Sequence, residues 1–326
     1  MSAHRTHTIA ALLFIPLGLA CRDKPRPAGA DQTTAPVISA SVSASRTDSG
    51  TSSPLAKAAL VSYVEAEQAF HRASYGEATQ LFENYRRQHP DNPWGHYMYG
   101  LSAWKAGLPA EALAGFDEAL RLDPDHRKSL FNSARVLLET GQPGQALERV
   151  ERGLSLEPLS AEGHRLLGRA RVELGQFDEA IDAYQHAIAI DNRDVWSMNN
   201  LGLLYIQRGQ SEEALLPLAR AVELRSNSPV FQNNLGTALE RSGHVVQAKE
   251  AYQAAVTADS DYSKAVSSLA RVIPLVQRGD SVTIDLVEAS REFQAEVSRL
   301  RNTTGGPDSV TAQASVEEMP RDSSPQ

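Results

Sequence analysis

Small and large apolar residues recur along this chain at a fixed interval of 34 residues. Gly100, Ala134, Gly168, Gly202, Gly236 and Ala270 form one column of small residues, and Ala112, Ala146, Ala180, Ala214 and Ala248 form a second. Four residues after each of those alanines stands a larger side chain: Phe116, Val150, Tyr184, Leu218 and Tyr252. Between the two small columns lie Gly107, Gly141, Gly175, Gly209 and Gly243. Pro90, Pro124 and Pro158 keep the same interval, a series continued by Asn192, Ser226 and Ser260. Such a unit predicts two amphipathic helices joined by a turn at the glycine, where the backbone turns left-handed. Small side chains at the crossing let the helices close, the proline stops the second helix, and the larger residues fill the gap between neighbouring units.

The columns resemble the tetratricopeptide repeat family over residues 59 to about 273, with Leu201-Gly202-x-x-Tyr205 followed by Ala214, Leu218 and Ala221 as the fullest match. The resemblance implies an all-α fold, a right-handed superhelix of six helix-turn-helix units at 59–92, 93–126, 127–160, 161–194, 195–228 and 229–262. The first unit keeps Tyr75, Ala78, Phe82 and Pro90 but has Ala73 in place of the turn glycine. The tryptophan common at the fourth position of family units is replaced by His96, Leu130, His164, Met198, Gln232 and Val266. A seventh first-type helix is expected from Ser263 to Val272, halted by Pro274. Asp280 is then placed to cap a further helix with Val282, Leu286, Ala289, Phe293, Val297 and Leu300 on one side, so that residues 263–302 cap the end of the array. Residues 303–326 read as a disordered tail.

The N-terminus carries a different pattern. His4, Arg5 and His7 precede an apolar run from Ile9 to Leu19, too short for a membrane-spanning helix and suited to an export signal over residues 1–20. Leu17-Gly18-Leu19-Ala20-Cys21 resembles a bacterial lipobox, which implies acylation of Cys21, the only cysteine in the chain. Gly18 and Ala20 also satisfy an ordinary signal peptidase, which exports the chain without anchoring it. Residues 21–54, rich in Ser, Thr, Ala and Pro, read as a tether. The absence of aspartate after Cys21, where Arg22 stands, points by the same resemblance to the outer membrane, facing the periplasm.

The formal charge of −8 argues against a general nucleic-acid binder, which needs clustered cations to displace counterions. In the repeat family the inner groove is lined by positions 2, 5, 9, 12 and 13 of each first helix. Here the resemblance assigns Trp94, Tyr97, Trp104, Lys128, Phe131, Arg135, Arg165, Arg169 and Trp196 to it, joined by Tyr63 and Phe70. Lys105, Arg241, Lys264 and Arg271 add positive charge, which would favour an acidic or C-terminal-carboxylate peptide. Asn132, Asn200 and Asn234 share position 6, and their amides suit a partner's backbone, in the manner of the asparagine ladder of O-linked N-acetylglucosamine transferases. Ordinary surface pairing and core packing remain the alternative for the charges and for the aromatic residues.

No nucleophile elbow, zinc-binding helix or phosphate-cradling loop occurs, and the repeats occupy nearly all the foldable length. The expectation is a non-enzymatic envelope scaffold or assembly factor that needs no cofactor or metal and binds an unknown protein or peptide. Repeats behind a lipidation site also resemble the pilotin lipoproteins of type IV pili, and a regulator of a cell-wall or polysaccharide enzyme is the further alternative.

Overall fold

The helices that start at Tyr63, Pro93, Arg127, Ala161, Val195 and Pro229 begin where the sequence supplies a side-chain cap. Asn92, Ser160, Asp194 and Ser228 accept backbone N–H bonds at the starts of their helices, and Pro93, Pro109, Pro143 and Pro229 occupy first-turn positions that need no N–H donor. The computed structural model describes residues 62–277 and 282–304. The expected export signal, Cys21, the expected tether and residues 305–326 lie outside them.

Among the described residues there are fourteen helices and no strand: α1 (Tyr63–His71), α2 (Tyr75–Gln88), α3 (Pro93–Lys105), α4 (Pro109–Leu122), α5 (Arg127–Glu139), α6 (Pro143–Leu156), α7 (Ala161–Glu173), α8 (Phe177–Ile190), α9 (Val195–Gln207), α10 (Ser211–Leu224), α11 (Pro229–Arg241), α12 (Val245–Ala258), α13 (Ser263–Val276) and α14 (Leu286–Thr304). Up to α12 the odd-numbered A helices pair with the even-numbered B helices that follow them, and each B helix also packs on the next A helix. This is an all-α solenoid of paired helices. Successive A helices from α3 to α13 also touch one another, whereas the B helices stand further apart, so the A helices line the inner side.

Volume at the A/B crossing sets the spacing. A β-carbon added to Gly100, Gly168 or Gly236 would lie 2.9, 2.6 and 2.7 Å from the ring of Phe116, Tyr184 or Tyr252, and one added to Gly202 would strike Leu218. Where the column holds Ala134 instead, the facing residue is the smaller Val150. In the first unit the column holds Ala66 and the facing residue is Phe82, both fully buried, so the rule at the crossing is a small residue against a larger one.

The turn between the helices needs a positive φ. Gly107, Gly141, Gly175, Gly209 and Gly243 adopt φ of 73–83°, and Ala73 adopts 59° in the first unit, where glycine is missing. A side chain in that region costs about 1 kcal/mol.

The C-terminal segment departs from expectation in three ways. α13 runs through Pro274 to Val276, because a proline in the last turn forfeits only one helical bond. The cap of α14 is Asp285, not Asp280: its Oδ1 accepts from Val287 and Glu288 N at 2.9 and 3.1 Å. Finally, α14 does not cover the end of the array. It turns back along the outer side, against α10 and α8, with Ala289, Phe293 and Val297 buried as expected and Val282 left exposed. Two reciprocal bonds between Gln247 and Ile284, at 2.8 and 2.9 Å, together with His244 on the Val282 carbonyl at 2.7 Å, hold the lead-in segment on α12.

Two outcomes follow from this packing. Ala73→Gly should stabilise the array and Gly141→Ala destabilise it, each by about 1 kcal/mol, read from the midpoint of urea unfolding. Phe293→Asp places an unpaired charge in a buried position beside Leu216 and Pro217. It should free α14 to hydrogen exchange and proteolysis while residues 63–276 keep their helicity.

Candidate partner-binding groove

Position 2 of an A helix sits at the helix's N-terminal end on the inner side, and α3 places Trp94 there. The indole is 45% exposed, packed edge-on against Tyr97 at 5.6 Å and His126 at 4.8 Å, with the Lys128 ammonium 5.3 Å from its ring centre. Trp104 lies ten residues on, half-buried. Its Nε1 donates to Glu139 at 2.8 Å, Lys105 Nζ stands 4.5 Å over the ring and the Arg135 guanidinium 5.2 Å away. α3 and α5 therefore bring Trp94, Trp104, Lys105, Lys128, Asn132 and Arg135 onto one face. A second aromatic site forms where Trp196 of α9 meets Phe231 edge-on at 5.0 Å beneath Arg225.

Several predicted groove residues have other roles. Phe131 is core: its ring fills the space left by Gly153 on α6 and Gly163 on α7, where added β-carbons would lie 2.5 and 2.9 Å from it. Tyr97 is also buried, with its hydroxyl accepting from Asn132 Nδ2 at 3.3 Å, and burial pushes its pKa well above the ordinary tyrosine value. Asn234 is buried and spent within the array, donating to Asn199 Oδ1 at 2.8 Å, while Asn199 donates to Asn200 at 3.4 Å. The three asparagines thus form no open ladder. Asn199 and Asn233 were missed as partners in these bonds, although the doublets Asn199-Asn200 and Asn233-Asn234 recur at the repeat interval.

The cationic excess is largely answered inside the chain. Arg135 pairs with Glu162, and Arg165 Nη1 reaches both Asp194 oxygens at 2.9 Å. Arg271 meets Glu240 at 2.7 Å, and Arg241 donates to the Ile206 carbonyl at 3.1 Å. Asp194 is doubly committed, since it also caps α9 through the N–H groups of Trp196 and Ser197. Arg169 is half-buried and acts on Glu173, whose pKa is raised by burial and lowered by that arginine. Lys105 has its pKa lowered by burial and by Arg135. What remains on the inner face is a pair of indoles with lysines stacked on them, a local surface suited to flat or acidic groups rather than a uniformly basic channel.

His126 supports this surface from below. It is buried, its Nδ1 accepts from Ser129 N at 3.2 Å as the cap of α5, and it carries the Trp94 and Tyr97 rings. Burial lowers its pKa, with Lys128 acting the same way and Asp123 opposing. The unfolded chain takes up a proton at about pH 6.5, and the folded chain only below that. The contribution of His126 to stability is complete above that pH and is lost as pH falls from there through the lower pKa of the folded chain. Lowering the pH from 8 to 5 should therefore reduce the urea midpoint. In His126→Asn, which keeps a capping oxygen without a titrating ring, that reduction should shrink.

Three models of the tetratricopeptide repeat match the chain, one at residues 63–127 and 199–263, one at 103–170 and one at 168–209, together spanning more than half its length. No curated protein sequence gives a significant match. Among solved structures, the fold is similar to a tetratricopeptide repeat protein from Parabacteroides merdae ATCC 43184, at 13% identity over 64% of this chain and 82% of that one, with a TM-score of 0.54. It is also similar to MamA from Desulfovibrio magneticus RS-1, at 25% identity over 49% and 91% with a TM-score of 0.47. A thermophilic repeat protein from Thermus thermophilus aligns at 21% identity over 56% and 100%, with a TM-score of 0.49. The columns, the paired helices and the family models agree: the chain belongs to the tetratricopeptide repeat family.

Proposed function

We propose that this chain is a non-enzymatic interaction scaffold of the bacterial cell envelope that binds a segment of a partner protein along the inner side of its A helices. Solenoids use their concave face in this way because stacked units expose a long row of side chains. The observation that carries the reading is the face on α3 and α5, where Trp94 is exposed and Trp104 half-exposed, each with a lysine stacked on it. Large flat side chains held by neighbours lose little entropy on binding and commonly supply most of an interface's affinity. The stacked ammonium groups favour acidic side chains in the partner.

The envelope placement rests on the N-terminal sequence: an apolar run of export-signal length followed at once by the lone Cys21. Acylation there would hold the array at a membrane, with residues 22–54 as the spacer. Outer-membrane residence facing the periplasm is the placement this reading adopts.

The test is capture from detergent-solubilised envelope. Trp94→Ala with Trp104→Ala should lose the captured partner, each substitution weakening binding by about 2 kcal/mol, while the circular dichroism spectrum is unchanged. Undiminished capture by the double variant would remove the inner face from the account. Identification of the captured protein as a secretin-like or a wall-synthesising component would set the pathway.

A further inference from the structure

Among the described residues, six A helices begin on a side chain that accepts a backbone N–H bond. Five of these caps are Ser62, Asn92, Ser160, Asp194 and Ser228, acceptors that a change of pH near neutrality leaves as they are. The sixth is His126, at the start of α5, and an imidazole does gain a proton in that range.

The geometry makes capping and protonation of His126 mutually exclusive. Ser129 N is a donor, so Nδ1, 3.2 Å away, must offer it a lone pair. The proton of the neutral ring is then on Nε2, which is buried and has no hydrogen-bond partner among the described residues. A second proton therefore goes to Nδ1, and both ring nitrogens become donors. Ser129 Oγ, 2.8 Å from Nδ1, can still accept, but the Ser129 N–H then faces another donor and the cap is lost.

The same ring carries the surface above it. His126 is 6% exposed, and the rings of Trp94 and Tyr97 rest on it at 4.8 and 5.1 Å. Lys128, whose ammonium stands 5.3 Å from the centre of Trp94, is the second residue of the helix that the lost bond capped. One proton thus acts beneath both members of the Trp94–Lys128 pair. Burial opposes that proton most, Lys128 of α5 opposes it too, and Asp123 at the end of α4 favours it. From α3 the titratable neighbour is Tyr97, held neutral by its own burial; Glu162 of α7 and Arg135 of α5, which act on Tyr97, are paired with each other.

We propose that His126 gates the Trp94–Lys128 surface: neutral, it holds the indole and the first turn of α5 in the arrangement that receives a partner, and protonated, it releases that partner. The gate rests on the reading of the inner face as the binding surface. Binding is then complete at neutral pH and weakens as pH falls through the lowered pKa of the folded chain, by at most about tenfold per pH unit, the limit that one proton sets.

Two measurements on the full chain test the gate. With Trp104→Phe and Trp196→Phe, Trp94 is the one indole left, and its emission and quenching by iodide report on this surface alone. Both should change in a single step between pH 7.5 and 5 while the circular dichroism spectrum holds, and the step should vanish in His126→Asn, which keeps a capping oxygen. No step, or a step that survives His126→Asn, overturns the gate. Capture from solubilised envelope reads binding itself, scored on the band that Trp94→Ala with Trp104→Ala abolishes. The ratio of captured amounts at pH 7.5 and 5.5 should be several-fold in the unmodified chain and about one in His126→Asn. A ratio of one in the unmodified chain contradicts the proposal, as does stronger capture at pH 5.5, which would mean that carboxylates of the partner draw the proton onto His126. If no captured band depends on the tryptophans, the inner-face reading fails, and the iodide measurement still decides whether His126 controls the surface.

Discussion

The structure depends on a volume constraint at the helix crossing. Where an A helix offers glycine, its B helix answers with Phe116, Tyr184, Leu218 or Tyr252; where it offers alanine, the answer is Phe82 opposite Ala66 and Val150 opposite Ala134. Burying one such large side chain contributes about 2 kcal/mol, but only if the backbone opposite comes close enough to touch it. The same contact fixes the separation of the two helices and brings successive A helices together on one side. The inner face, and the side chains arrayed on it, are consequences of that packing.

Much of this was legible because the constraint is periodic. A pair of small-residue columns in register over five periods demands a packing contact that repeats with them, and the starts of α3 to α13 fall at the repeat interval. The groove was less legible, since position in a unit does not by itself decide exposure. Position 5 is a partly covered arginine in α7 but a core ring in α5, because Gly153 and Gly163 leave room for Phe131 to turn inward. Position 6 reads as an available amide at Asn234 until Asn199, on the preceding A helix, is seen to accept its proton. Such bonds join neighbouring units, and a pattern of single residues does not reveal them.

The C-terminal helix shows the other limit. Its apolar stripe was plain, and Ala289, Phe293 and Val297 are buried, yet its destination was not. The periodic rule sends a helix after α13 onto α13. Glu296 stands where that rule wants a small residue, and on α10 it lies instead beside Tyr205 and Glu213, half-buried, its pKa raised first by burial. The helix lies on the outer side, against α10 and α8.

Site-specific photo-crosslinking in living cells tests the central claim most directly. A benzophenone amino acid placed at Lys128 reports on the inner face, and one at Glu179 of α8 on the outer side. The account predicts a discrete crosslinked partner from Lys128 and none of that mass from Glu179. The same adduct from Glu179, with Lys128 silent, would contradict it.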